Sequence, residues 1–181
     1  AVFGIVYNVS LLAASVYDAI SMALQPMVST FHGERNKHNV LCTLKQAFQV
    51  SVGLSLVLIL ILMLFPRGVC FAFGLRTAEE LSMGVVAIRI YALCVLPSGI
   101  NMVSTYYYQT LGKEFISYLI FTLRGFVFFL AFSLLLSRWG VDLFWWTYPC
   151  METATLLVLC IYNKWKGSWT YLEEDDSRIF T

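Results

Sequence analysis

Five stretches of this chain stay apolar for about 20 residues or more, the length a helix needs to cross a hydrocarbon core. They run Phe3–Ser29, Ala47–Phe65, Met83–Gln109, Phe115–Leu136 and Val141–Tyr162. Inside lipid every backbone N–H and C=O must find a partner in its own segment, so such stretches fold as helices. With 59% of its residues hydrophobic and 13% charged, a chain of 181 residues has more apolar surface than a soluble core could hide. The expected class is an all-α integral membrane protein. Residues 1–163 form a five-helix transmembrane bundle, and residues 164–181 form a polar cytoplasmic tail.

Turn chemistry separates the spans. Pro66 ends the second, and Arg67–Ser82, with Arg76, Glu79 and Glu80, makes the largest loop. Pro97-Ser98-Gly99 should kink or locally unwind the third span. Leu111-Gly112-Lys113-Glu114 is a tight turn into the fourth. The tail carries the acidic run Glu173-Glu174-Asp175-Asp176. Because Ala1 already lies in an apolar stretch, with no basic lead-in, the chain reads as a piece of a longer polypeptide.

Basic residues give the orientation. Arg35, Lys37, Lys45, Lys113, Lys164 and Lys166 fall on one side, and Arg67, Arg76 and Arg138 on the other. The positive-inside rule puts the first set, with the C-terminus, in the cytoplasm of a cell with this protein in its plasma membrane, a bacterial inner membrane being the expected setting. Trp139, Trp145 and Trp146 form an outer aromatic belt, while Trp165 and Trp169 flank the inner end of the last span.

Several functions find no support. The basic residues form no patch for nucleic acid. Cys42, Cys70, Cys94, Cys150 and Cys160 have no metal or redox spacing and read as small core residues. His32 and His38 share a loop without a ligand partner, and no nucleophile–base constellation or phosphate loop appears. No enzyme, metal or cofactor is expected.

Three ionisable residues interrupt the apolar stretches: Asp18, Arg124 and Glu152. Measured from the inner ends of their spans at 1.5 Å per residue, they lie ~16, ~14 and ~15 Å deep. Half a hydrocarbon core is ~15 Å, so all three sit near the midplane. Arg124 and Glu152, on adjacent spans, can pair, which leaves one carboxylate over. A midplane carboxylate without a partner must take up a proton or a cation, which is the chemistry of ion-coupled transport. The alternative for the pair is a salt bridge that only fixes helix register.

Polar residues accompany them. Asn8, Ser15, Asp18, Gln25 and Ser29 occupy an arc of roughly 100° at the helical period, a stripe that should face other helices or a cavity. Beside it Ser15, Ala19 and Ala23 make a small-residue track for close packing. Asn101, Thr105 and Tyr108 share a face of the third span near Pro97, where a transporter would bind substrate. Tyr106-Tyr107-Tyr108 reads equally well as an interfacial anchor. Arg89 is close enough to the outer end of its span to snorkel.

The order of motifs resembles a known family. Ala23-Leu24-Gln25-Pro26 followed by His32-Gly33-Glu34-Arg35-Asn36 is similar to the "QP…yGa.n" signature of multidrug and toxic compound extrusion (MATE) transporters. Tyr107-Tyr108-Gln109-Thr110-Leu111-Gly112-Lys113 resembles that family's "yyQalGk" turn, and Leu123-Arg124, Gly140, Trp145-Trp146, Pro149 and Glu152 follow in its order. The resemblance implies spans eight to twelve of a twelve-span protein, most of the C-terminal six-helix lobe. It implies an antiporter that exports cationic or amphipathic drugs in exchange for protons or sodium. The partners implied are such a small molecule, membrane lipid and the missing N-terminal lobe.

The candidate ion-coupling or substrate cavity thus comprises Asp18, Gln25, Asn101, Tyr108, Arg124 and Glu152. The span Met83–Gln109 carries no acid, whereas some family members hold a cation-binding carboxylate there. Asp18 stands about where many relatives have a small residue. Two other functions remain open: a flippase for lipid-linked oligosaccharide, which needs a basic cavity, and a non-transporting membrane scaffold docking through its acidic tail.

Overall fold

The computed structural model describes residues 2–166. The expectations for Trp169, for the tail and for its acidic run lie outside the described residues. Every regular element is helical: α1 (Val2–Gly33), α2 (Lys37–Leu64), α3 (Pro66–Ala72), α4 (Ala78–Thr110), α5 (Glu114–Thr122), a π-helical segment (Leu123–Val127), α6 (Phe128–Ser137), α7 (Val141–Phe144) and α8 (Thr147–Lys166). Four helical stretches among the described residues are long and apolar enough to cross a membrane: Val2–Gly33, Lys37–Leu64, Ala78–Thr110 and Glu114–Ser137. The fifth expected span is divided instead. Its chain turns at Trp145-Trp146, and α8 is less apolar than the others because it carries Glu152, Thr153, Thr155, Asn163 and Lys164. The fold is all-α and multi-pass.

Caps set the boundaries. Asn36 accepts from the Asn39 N–H at 3.1 Å and starts α2. Gly112, at φ 70°, closes α4 by letting the Lys113 N–H reach the Tyr108 carbonyl at 2.9 Å. The stretch expected as the largest loop is mostly helical. Pro66 supplies the preset first turn of α3. Thr77 and Glu80 bond reciprocally at the start of α4, the Glu80 N–H to Thr77 Oγ1 at 3.4 Å and Thr77 Oγ1 to Glu80 Oε2 at 2.8 Å.

The central element is α4, which packs against α1, α2, α3, α5 and α8. Pro97 lies inside it without unwinding it. The expectation of local unwinding is therefore corrected, and the Pro-Ser-Gly sequence has another use. A Cβ on Gly99 would stand 2.6 Å from Ser51 Oγ and 2.7 Å from Tyr17 Cε1, so only glycine admits the buried Tyr17 ring. Tyr17 then donates to the Val95 carbonyl at 2.9 Å and lies 2.7 Å from Ser55 Oγ, tying α1 to α4 and α2. Gly99→Val should lower stability by about 1–3 kcal/mol through overpacking. Thermal melting of the full-length protein in detergent checks it.

Two buried clusters form the core. One joins Val6, Tyr17, Ile88, Tyr91 and Val95; the other joins Leu24, Val28, Tyr107, Tyr108, Ile120 and Leu159. Along α1 the polar stripe lies roughly 160° from the centre of the buried face at 100° per residue. Asn8, Ser15 and Ser29 are exposed, and Asp18 and Gln25 are half-buried. Ser15, Ala19 and Ala23 are exposed too, and Ala19 and Ala23 line an open groove beside α2.

The cysteines divide as well. Cys70 and Cys94 are buried, but Cys42 and Cys160 are exposed, because their helices turn those positions outward. Burial pushes the Cys70 thiol above its ordinary pKa, which suppresses the reactive thiolate. Maleimide should label Cys42 in the folded protein and reach Cys70 only after unfolding, as peptide mapping by mass spectrometry would record.

Candidate functional site

Arg124 sits in the π-helical segment between α5 and α6. A π turn holds one residue more than an α turn, so it re-aims the side chains that follow, and such turns gather at functional sites. From there Arg124 Nε donates to Glu152 Oε1 of α8 at 2.7 Å. Its Nη2 donates to Ser98 Oγ at 2.7 Å and its Nη1 to Met102 Sδ at 3.3 Å, both on α4. Glu152 is buried, and its second oxygen accepts from Asn101 Nδ2 at 2.9 Å. Asn101 also donates to the Glu152 carbonyl at 2.9 Å. The charge of each partner is therefore met by the other and by neutral hydrogen bonds, as a buried pair requires.

This network joins three of the residues singled out from sequence. The spacing placed Arg124 beside Glu152, and the structure pairs them. Asn101, expected on a substrate-binding face, is fully buried and anchors Glu152 instead. Ser98 and Met102 were not foreseen. Their signal is present in sequence as a run at 98, 101 and 102, the i, i+3, i+4 pattern of one helical face.

Asp18 lies in an adjoining cavity of about 460 Å³, lined by Asp18, Thr105, Tyr106, Gln109, Tyr118 and Arg124 among others. Tyr106 Oη donates to Asp18 Oδ1 at 3.0 Å. The carboxylate thus has a hydrogen-bond donor but no cationic partner within ion-pair distance among the described residues. A second cavity of about 270 Å³ opens on the other side of Arg124, with Ser10, Tyr91, Ser98, Tyr148 and Glu152 in its wall. Phe121 and Arg124 line both cavities, whereas Glu152 lines only the smaller one.

The remaining expected residues fall elsewhere. Tyr108 does not line the Asp18 cavity: it is fully buried, and its hydroxyl donates to Asn163 Oδ1 of α8. Each residue along a helix turns by about 100°, so of the three consecutive tyrosines it is Tyr106 that faces the cavity. Gln25 is half-buried on α1, about two turns beyond Asp18. Arg89 is exposed on α4. Among the described residues no three His, Cys, Asp or Glu side chains converge as a metal site. Chemically, the site offers one compensated charge pair and one half-buried carboxylate with a phenol donor and aromatic neighbours.

A family model described as MatE matches residues 1–135. Two solved structures are similar over 91% of this chain. One is the outward-facing conformation of a multidrug resistance MATE family transporter of the MOP superfamily, with TM-score 0.82 and 16% identity. The other is an inward-facing conformation of such a transporter, with TM-score 0.81 and 15% identity. The chain spans 38% and 39% of the length of those chains, and at such identities the likeness is one of fold. No curated protein matches it. With three quarters of its length matched by the family model, the chain belongs to the MatE family.

Proposed function

We propose that this chain is most of the C-terminal lobe of a secondary antiporter, which exports cationic or amphipathic compounds in exchange for protons or sodium. The reading takes α7 and α8 together as a fifth span and puts the C-terminus in the cytoplasm. The observation that carries it is Asp18: a carboxylate on a cavity, bonded to Tyr106 and with no cationic side chain in ion-pair distance among the described residues, beside an Arg124–Glu152 pair that is already compensated. A half-buried carboxylate on a cavity is a group that a cation can reach, which is what coupling and substrate recognition need. The exposed polar stripe of α1 supports the reading too, since Asn8, Ser15 and Ser29 offer a surface for the facing lobe or for water.

A lipid-linked oligosaccharide carries a pyrophosphate, which needs free positive charge. The one guanidinium here is spent on Glu152, Ser98 and Met102, so the flippase reading has little to stand on. The test is export by the full-length protein in vesicles under an imposed proton or sodium gradient. A fluorescent organic cation should move against its own gradient when one of the two is present. If it moves only down its own gradient under both, the antiporter reading fails.

A further inference from the structure

We propose that the groove on α2 beneath Lys45 binds an anionic phospholipid, with the phosphate at Lys45 and one acyl chain along Val52, Gly53 and Leu56. The groove is an open one of about 560 Å³ along a single helix face, apolar except for Lys45 and Gln49. Gly53 lines it and faces open space: a Cβ added there meets nothing within 4 Å.

Length and charge together choose the occupant. From Lys45 to Leu56 is eleven residues, ~16 Å at the helical rise. That is about half a hydrocarbon core, the reach of one acyl chain from headgroup level to midplane. At the headgroup end α2 presents Lys37, His38 and Lys45, and the helix contains no acid. Lys37 and Lys45 are exposed and have no carboxylate partner among the described residues. An occupant must therefore be apolar for the depth of one leaflet and negative at its end. A zwitterionic lipid meets the first condition only. A protein helix would meet both only if it carried a carboxylate at the level of Lys45.

The experiment is native mass spectrometry of the full-length protein in mild detergent, titrated separately with phosphatidylglycerol and phosphatidylcholine. The parent should hold phosphatidylglycerol about fivefold more tightly, the preference one lysine near an anionic headgroup confers. Lys45→Gln should abolish that preference while phosphatidylcholine binding stays. Gly53→Leu fills the groove from open space, so its melting temperature should match the parent's while both lipids bind several-fold more weakly. Equal affinity of the parent for both lipids overturns the proposal. So does a preference that survives Lys45→Gln, or Gly53→Leu binding like the parent. A parent that runs as a dimer and sheds both lipids would assign the groove to a second copy and overturn it too.

Discussion

Glu152→Gln in the full-length protein is expected to lower unfolding stability by about 3–5 kcal/mol, the cost of leaving a buried charge uncompensated. Glu152 is 3% exposed and receives Arg124 at 2.7 Å and Asn101 at 2.9 Å. With glutamine in its place the guanidinium keeps Ser98 and Met102 but loses its only anion in the network. Arg124→Met should cost less, because a carboxylic acid can become neutral by taking up a proton whereas a guanidinium cannot shed one. Replacing both residues by methionine should recover most of the loss, since an apolar pair of similar volume requires no desolvation of charge. Melting curves of the four proteins decide the matter. If the double variant is as unstable as Glu152→Gln alone, the pair is more than a mutual compensation.

The second large effect falls on transport. Asp18→Asn removes the charge but retains an oxygen that can accept from Tyr106 Oη, so the contact between α1 and α4 survives. Stability should change by less than about 1 kcal/mol, the scale of one neutral hydrogen bond. Export should nevertheless fall by at least about tenfold, because an amide cannot take part in proton or cation exchange. Tyr106→Phe is the companion test: it keeps the carboxylate and removes its donor, so it should alter export less than Asp18→Asn does.

The two variants separate because the two acids are held differently, and part of that was legible in the sequence. Helices long enough to span are plain from apolar length, since lipid leaves the backbone no alternative. Depth is equally plain, because the rise per residue is fixed, and counting inward placed Arg124 level with Glu152. Rotation is harder to read. Which of three consecutive tyrosines meets Asp18 depends on what packs against the other two, and Tyr107 and Tyr108 are claimed by the core around Ile120 and Leu159.

The π-helical turn at Arg124 has no clear sequence mark beyond Gly125. Pro97-Ser98-Gly99 reads as a break because proline disrupts isolated helices, yet α4 continues through it as one helix, and Gly99 admits the Tyr17 ring. The capping signals of α3 and α4, Pro66 and Thr77-x-x-Glu80, stand in the sequence among the charges of that stretch. Polarity marked the stripe on α1, but polarity alone does not say what lies opposite it.

The most direct measurement is exchange of an organic cation by the full-length protein in proteoliposomes under an imposed proton or sodium gradient, for the parent and for Asp18→Asn with matched melting temperatures. The account predicts that one of the two gradients drives the parent while the variant's rate stays low under both. Asp18→Asn exchanging at the parent's rate would contradict it.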